Sequence, residues 1–330
     1  SMKLHWCDLA QKTMAIYNVG RSSLVLEAAS NDGYLLQYFV RRGIPVLGID
    51  PARNIAPVAR SKGVRTITEF FNLPLARRIV AAGHRADVFL ANNVLAHVPD
   101  LNDFVAGIRL VLKDQGAAII EVPYVRQLVG NNQFDTIYHE HLYYFSLTAL
   151  QKLFARHDLE IVRVNELPVH GGTLQVHVRP QGTGAVARRV DELLDEEAEL
   201  GIDGPEYFRR FADAVRQLRE QLLDVMGDLK SNGRQIAAYG ASAKGSTLLN
   251  YCGIGRESLE FMVDRNPLKQ GRYAPGCCVS RLHPAESRVG MRDFVLLLSW
   301  NLRDEILEQQ KRYRSRGGKF LIPIPEPVIA

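Results

Sequence analysis

The chain has 330 residues, more than a typical single domain, so two domains sharing a cleft are expected. Hydrophobic residues make up 46% and charged residues 23%, the balance of a soluble globular enzyme, and no apolar run approaches the roughly 18 residues of a membrane span. The formal charge of +5 comes from scattered basic residues, which disfavours nucleic acid and suits a small anionic substrate. The N-terminus lacks the apolar core of a secretory signal, so a cytoplasmic location is predicted. The four cysteines lack CxxC spacing and predict neither a zinc site nor disulfides.

Between Leu24 and about Pro180, short apolar runs alternate with amphipathic stretches, the pattern of repeated βα units around a parallel sheet. The predicted strands are SLVLEAA, PVLGID, ITEFF, DVFLANN and AAIIEVP. The next two apolar runs, IVRVNELP and TLQVHVRP, are separated only by VHGG. Because this is too short for a crossover helix, the two runs are predicted to pair antiparallel as a hairpin.

The second half of the chain predicts two further parts. Residues 183–231 carry apolar side chains at helical spacing with a break at Gly204-Pro205, which predicts two bridging helices. A second βα pattern follows in QIAAYG, SAKGSTLLNYC, LEFMVD, DFVLLLS and KFLIPIP. The predicted organisation is therefore an α/β domain at 1–182, the bridging helices, and a smaller Rossmann-like α/β domain at 232–330.

The first predicted strand runs into VLEAASNDGYLL, where Glu27 precedes a turn of small residues that opens a helix. Gly33 would let the backbone approach a ligand closely, and a helix N-terminus favours an anionic group. The turn lacks the G-x-G-x-x-G spacing of dinucleotide sites, which argues against NAD. Ser30 and Asn31 join Glu27 and Gly33 as candidate ligand-binding residues.

Two later strands end in polar side chains. Asp50 ends the second predicted strand, where a carboxylate accepts hydrogen bonds from the ribose hydroxyls of an adenosine ligand; a helix cap or a surface aspartate is the alternative. Pro51 follows it and is included in the candidate site. Asn92 and Asn93 end the fourth strand, at the edge of the sheet where α/β proteins bind ligands. His97 lies on the same loop, although a histidine there is also compatible with a structural role.

The stretch NQFDTIYHEHLYYFS brings Tyr138, Glu140 and His141 together after the fifth strand. Such side chains can supply a base that removes a C–H proton and donors that hold the developing enolate. A metal site is the alternative interpretation of H-E-H, but no third ligand is evident in the sequence, so no metal is predicted.

Three further residues are candidates for binding a substrate. His170 lies in the predicted hairpin turn beside two glycines, where a role in the turn is an equal alternative. Lys244 lies between a strand and a helix of the second domain, where it can hold a phosphate together with backbone amides, although the spacing is not that of a Walker P-loop. Arg272 belongs to the long polar loop VDRNPLKQGRYAPG, whose alternative interpretation is an exposed basic loop.

Taken together, LEAASNDGYLLQYF, GIDPARNIA, ANNVLAHVPDLNDFVAG, NQFDTIYHEHLYYFSL, LPVHGGTLQVHV, YGASAKGSTLLNYC, VDRNPLKQGRYAPG and WNLRDEI resemble the bacterial sugar C-methyltransferases of antibiotic deoxysugar pathways, over about residues 22–327. The resemblance implies a Rossmann-like class I S-adenosylmethionine (SAM) methyltransferase domain, whose sheet ends in such a hairpin, and a smaller Rossmann-like domain. It implies SAM as cofactor, S-adenosylhomocysteine as product and no metal. The implied substrate is a dTDP-linked 4-keto-deoxysugar that is methylated beside its ketone.

Carried over by position, the general base of that family falls on His141, the tyrosine that positions the sugar on Tyr138, and further active-site roles on Glu140 and His97. His141 would then remove the proton alpha to the C4 ketone, and the enolate would attack the sulfonium methyl. Members of the family normally begin with a small zinc-binding module with paired CxxC motifs, which this sequence starts too late to contain.

The sequence leaves two other functions open. The first is a C-, N- or O-methyltransferase of another natural-product intermediate, and the second is the cofactor-binding subunit of a split enzyme. The expected assembly is a monomer or a homodimer, without nucleic-acid or membrane partners.

Overall fold

The computed structural model describes residues 2–169, 171–282 and 292–330. His170, a predicted substrate contact, lies outside the described residues. Contacts divide the chain into two compact units, the first comprising Ser1–Tyr124 and Leu142–Leu200, the second comprising Val125–His141 and Gly201–Ala330. Among the described helices, none is long and apolar enough to cross a bilayer.

The described strands are β1 (Val25–Ala28), β2 (Val46–Ile49), β3 (Thr66–Ile67), β4 (Ala86–Asn92), β5 (Leu112–Pro123), β6 (Leu159–Leu167), β7 (Thr173–Pro180), β8 (Ile236–Tyr239), β9 (Met262–Val263), β10 (Arg281–Leu282), β11 (Phe294–Leu297), β12 (Lys319–Ile322) and β13 (Val328–Ile329). The described helices are α1 (Met2–Ile16), α2 (Leu36–Val40), α3 (Ala56–Ser61), α4 (Leu73–Ala81), α5 (Leu101–Val111), α6 (Val125–Gly130), α7 (Leu147–Ala155), α8 (Arg188–Leu200), α9 (Pro205–Ser231), α10 (Ala243–Cys252), α11 (Arg303–Gln309) and α12 (Lys311–Arg314).

The first unit is built on a seven-stranded sheet in the order β3-β2-β1-β4-β5-β7-β6. Strands β1 to β5 pair parallel, and β7 pairs antiparallel with both β5 and β6. The predicted hairpin is therefore confirmed, and the sheet confirms the predicted class I methyltransferase fold. The third strand is shorter than predicted, since Thr66–Ile67 pair with β2 and the following Phe70 and Phe71 leave the sheet.

The sheet of this unit is covered on both faces, which explains why its central strands are almost wholly apolar. Every residue of β1 is buried, and so are Ala118, Ile119 and Ile120 of β5. Side chains cap two of the covering helices: Asn72 accepts the backbone N–H of Leu75 at the start of α4, and Asp100 caps α5 in the same way.

The second unit contains a six-stranded sheet in the order β10-β9-β8-β11-β12-β13. All its strands pair parallel except β13, which pairs antiparallel with β12. The sheet, with α10 between β8 and β9 in the chain, confirms the predicted smaller Rossmann-like domain. The two-residue edge strands β10 and β13 were not predicted.

The division into units differs from the predicted boundaries at residues 182 and 231. Helix α8, predicted as a bridge, belongs to the first unit because its buried Glu197 accepts the Tyr124 hydroxyl at 2.8 Å and the backbone N–H of Leu147 at 2.7 Å. Residues 125–141, predicted within the first domain, belong to the second unit, where Phe134 packs against Tyr251 of α10. These contacts join residues that are far apart in the chain, so local sequence patterns do not report them.

Candidate active site

A cavity of about 520 Å³ lies at the carboxyl ends of β1, β2 and β4 in the first unit. This volume is within the usual range of small-molecule sites. Its walls are largely apolar and include Ile49, Phe71, Val94 and Phe104. Four of the residues predicted to form the site line it, namely Asp50, Pro51, Asn93 and His97.

Asp50 is held by two backbone N–H groups on the wall of this cavity. Its Oδ2 accepts the N–H of Asn31 at 2.9 Å, and its Oδ1 accepts the N–H of Ala52 at 2.8 Å. Asn31 has a φ of 50°, a left-handed conformation that asparagine tolerates, and its backbone N–H supplies the first of these bonds. Each carboxylate oxygen retains a further acceptor site, so Asp50 is fixed in place yet able to bind hydroxyl donors of a ligand.

Gly33 serves the packing of the same turn. Its φ is 75°, and a Cβ atom at this position would lie 3.0 Å from Cγ2 of Val64. A side chain would therefore strain the backbone and press on Val64. The predicted close approach of a ligand to Gly33 stays a prediction, and packing on Val64 is the local reason for glycine that the structure gives.

Glu27, Ser30 and Asn92 do not line the cavity but are buried beside it. The Asn92 side-chain amide donates to Glu27 Oε1 at 3.4 Å. Glu27 Oε2, Asn92 Oδ1 and the Ser30 hydroxyl have no hydrogen-bond partner among the described residues. Burial raises the pKa of Glu27 to about 8, because the charged form is desolvated. Hydrogen bonds from the Asn92 and Tyr34 side chains favour the carboxylate but do not outweigh the effect of burial on this pKa.

Several residues of the cavity were not predicted from the sequence. Phe70 is the most conspicuous, since 74% of this large aromatic residue is exposed to solvent at the cavity wall. Two adjacent phenylalanines directly after a strand could have indicated an aromatic wall at the end of the sheet. The sequence analysis instead predicts a strand over the whole of ITEFF. Four polar residues of the cavity wall were not predicted either: Glu69, Asn72, Asp100 and Asp103.

His97 lines the cavity from a short 3-10 turn, Leu95–His97, that follows β4. The carbonyl of the preceding residue, Ala96, accepts the backbone N–H of Leu142 at 2.8 Å. Leu142 is the residue that follows the Y-H-E-H motif in the chain. The 3-10 turn that carries His97 is thereby hydrogen-bonded to the first residue after that motif.

The Y-H-E-H motif, residues 138–141, forms the last four residues of the segment Val125–His141 of the second unit. The Nδ1 atom of His141 lies 2.8 Å from the carbonyl oxygen of Thr136, and its Nε2 lies 3.3 Å from the Tyr138 hydroxyl. A carbonyl oxygen only accepts, so Nδ1 carries the proton and Nε2 is the basic nitrogen, which the Tyr138 hydroxyl approaches as donor. Partial burial raises the pKa of Tyr138, so its hydroxyl stays protonated at neutral pH.

The two residues between Tyr138 and His141 are exposed. The side chain of His139 is 89% exposed and that of Glu140 is 61% exposed, with His139 Nε2 3.9 Å from Glu140 Oε1. Residues 2–169, 171–282 and 292–330 contain no group of three His, Cys, Asp or Glu side chains placed to hold a metal ion.

The two remaining substrate candidates differ in their surroundings. The Lys244 ammonium lies 4.9 Å from the ring centroid of Trp300, and burial lowers the pKa of Lys244 because the charged form is desolvated. Arg272 is exposed. Lys244 is therefore the more buried of the two candidates.

Two family models match the chain. A methyltransferase domain model matches residues 3–164, and a C-methyltransferase C-terminal domain model matches residues 168–325. The chain is 39% identical over 307 residues to C-methyltransferase NovU of Streptomyces niveus. The match covers 93% of this chain and 73% of NovU.

More distant similarities cover smaller parts of the chain. Ubiquinone biosynthesis O-methyltransferase of Bartonella quintana is 27% identical over 97 residues, which is 29% of this chain and 39% of that protein. The crystal structure of magnesium protoporphyrin IX methyltransferase from Synechocystis with bound SAM aligns with a TM-score of 0.41 at 15% identity, over 54% of this chain and 78% of that one. Family assignment rests on NovU and the two family models: the chain belongs to the C-methyltransferase family that its motifs predicted, and it is a methyltransferase that uses SAM.

Proposed function

We propose that this enzyme methylates the carbon beside the ketone of a nucleotide-linked 4-keto-deoxysugar, with His141 as the general base. The observation that carries the proposal is the hydrogen bond between His141 Nδ1 and the Thr136 carbonyl. Because Nδ1 lies 2.8 Å from the Thr136 carbonyl oxygen, which can only accept, Nε2 is the basic nitrogen of the neutral ring. A carbon acceptor requires such a base, because it has no electron pair to attack the methyl group until its C–H proton is removed.

The cavity of the first unit is the proposed cofactor site. Asp50 would accept the ribose hydroxyls, and the apolar walls with Phe70 would cover the adenine. Glu27 and Asn92 would accept the ammonium group. When bound, SAM supplies an electrophilic methyl group on its sulfonium sulfur.

The proposed reaction begins with proton transfer to the protein. Nε2 of His141 takes the proton from the carbon alpha to the ketone, and the C–H electron pair moves into the enolate. Once Nε2 has taken the proton, the Tyr138 hydroxyl can donate to a sugar oxygen instead, and further active-site roles are proposed for Glu140 and for His97. Lys244 would bind the diphosphate, since a desolvated ammonium group gains most from an anionic partner. The enolate carbon then accepts the methyl group.

The Glu27 carboxyl predicts proton release on cofactor binding. With a pKa of about 8, Glu27 is largely protonated at pH 7 in the ligand-free protein, whereas an ammonium ligand favours the carboxylate. Binding of S-adenosylhomocysteine is therefore expected to release close to one proton at pH 7, and its affinity should rise between pH 6 and 8. Calorimetry in buffers of different ionisation enthalpy measures this release.

Glu27→Gln is the control for that measurement, because it keeps the shape and removes the titration. It should abolish both the proton release and the rise in affinity. Since folding raises the pKa from 4.5 to about 8, Glu27 lowers the free energy of unfolding as the pH rises between these values, so the variant should be more stable than the wild type above pH 8. Proton release that persists in the variant would assign it to another group.

Product analysis tests the proposed function directly. The enzyme is incubated with SAM labelled with ¹³C in its methyl group and with a dTDP-4-keto-deoxysugar, and the product is examined by NMR. The expected product carries the labelled methyl group on the ring carbon beside the ketone. A label on oxygen or nitrogen would support the other methyltransferase function, and cofactor binding without transfer to any tested sugar would favour the split enzyme.

A further inference from the structure

Asp135 is a buried acid that neither the sequence nor the proposed mechanism accounts for. It lies in the short 3-10 turn Phe134–Thr136 of the second unit and is completely buried. Its Oδ2 accepts the indole N–H of Trp300 at 2.7 Å, whereas Oδ1 has no partner among the described residues. A buried carboxyl group with an unpartnered oxygen destabilises a fold, so a contribution to stability does not explain its presence.

Trp300 is held on two sides. Asp135 binds the N–H edge of the indole, and Lys244 lies 4.9 Å above its ring. Burial raises the pKa of Asp135 to about 6, while the hydrogen bond from Trp300 and the charge of Lys244 favour the carboxylate. Acid, indole and ammonium therefore form one cluster, which joins the turn Phe134–Thr136 to the start of α10 and to the loop after β11.

The same turn holds the imidazole of His141. Asp135 is followed directly by Thr136, whose carbonyl accepts the Nδ1–H of His141 at 2.8 Å. The Thr136 hydroxyl and backbone N–H both bond to the Gln133 carbonyl, so the turn is also tied internally. The direction of the Thr136 carbonyl therefore depends on the position of this turn. The hydrogen bond between Asp135 and Trp300 holds the turn in that position.

We propose that Asp135 is a positioning residue: by binding Trp300 it fixes the turn whose Thr136 carbonyl selects the Nδ1–H tautomer of His141. The proposal rests on the proposed role of His141 as base. It assigns a function to two residues, Asp135 and Trp300, that are separated by 165 positions in the chain. It also links the base to Lys244, because the lysine contacts the opposite side of the same indole.

The experiment records imidazole ¹⁵N chemical shifts of the full-length protein, with the His141 signals assigned by their loss in His141→Asn. The wild type should show a single Nδ1–H tautomer for neutral His141. Trp300→Phe keeps an aromatic ring beneath Lys244 but removes the N–H donor. It should give a mixture of both tautomers and a kcat reduced by up to about 100-fold, the effect of a misplaced catalytic group.

Two substitutions at Asp135 separate positioning from folding. Asp135→Asn keeps an acceptor for the indole N–H, so the tautomer should stay that of the wild type and kcat should stay within about threefold, well short of the loss from misplacement. Asp135→Leu removes the acceptor and should behave like Trp300→Phe. Affinity for S-adenosylhomocysteine should be unchanged in all three variants, because they leave the first unit unaltered, and an unchanged melting temperature would show that the second unit remains folded.

The possible outcomes are distinct. A single Nδ1–H tautomer in both Trp300→Phe and Asp135→Leu would overturn the proposal, as would a tautomer change in Asp135→Asn equal to that in Asp135→Leu. If Asp135→Leu does not fold, Trp300→Phe decides alone. If the tautomer changes as expected while His141→Asn retains full turnover, the positioning is correct and the proposed role of His141 as base is wrong.

Discussion

Replacing His141 by alanine is expected to lower kcat for methyl transfer by about 10²- to 10⁴-fold, the usual contribution of a general base. The reason is that the carbon acid is not deprotonated without a base at the position of Nε2. Affinity for S-adenosylhomocysteine should stay within about twofold, because the first-unit residues proposed to bind it are unchanged. Single-turnover methyl transfer and a binding titration measure the two quantities.

His139→Ala is the matched control for His141→Ala. It removes the same ring two positions earlier in the same motif, and 89% of the His139 side chain is exposed to solvent. Turnover of this variant should equal that of the wild type, since the ring is proposed to have no role in the reaction. Equal losses in the two variants, or equal losses of turnover and cofactor affinity in His141→Ala, would contradict the assignment of the base.

Asp50→Asn is expected to raise the Kd for S-adenosylhomocysteine by about 10- to 100-fold, from the loss of a hydrogen bond to a charged acceptor worth roughly 1.5–3 kcal/mol. The amide also presents an N–H group to Asn31 or Ala52, whose backbone N–H groups the carboxylate now accepts. Both effects weaken the wall on which the ribose is proposed to bind. Isothermal titration of the variant measures the change.

Asp32→Asn provides the comparison within the same turn. Asp32 is partly exposed, pairs with Lys62 at 2.6 Å and does not line the cavity. Its substitution should therefore leave cofactor affinity within about twofold, since exposed ion pairs contribute about 0–1 kcal/mol. If Asp32→Asn and Asp50→Asn weaken binding equally, the effect belongs to the turn as a whole and the ribose contact is not supported.

The first sheet could be predicted from the sequence largely because each central strand is a short apolar run that ends in polar residues. The link VHGG between the apolar runs IVRVNELP and TLQVHVRP identified the hairpin, since so short a link excludes a crossover. Helix α1 was not predicted, and the third strand was predicted too long. In both cases apolar and aromatic residues occur without a clear period, so the pattern does not distinguish helix, strand and cavity wall.

The candidate site was predictable where ligand chemistry is tied to strand ends. Asp50, Asn93 and His97 were identified in this way, and the structure places all three in one cavity. Two features of the site depend on contacts between distant parts of the chain and could not be predicted from the sequence. The burial of Glu27 depends on the sheet around it, and the bond between Asp135 and Trp300 joins residues 165 positions apart. No local pattern encodes either.

The most direct measurement is hydrogen exchange at the carbon beside the ketone. The enzyme is incubated with the keto-sugar and S-adenosylhomocysteine in deuterated buffer, so that deprotonation occurs without methyl transfer. The wild type is expected to incorporate deuterium at that single carbon, and His141→Ala is expected to incorporate none above the rate of buffer alone. Methylation of that carbon by an enzyme whose His141→Ala variant exchanges the proton as fast as the wild type would contradict the account.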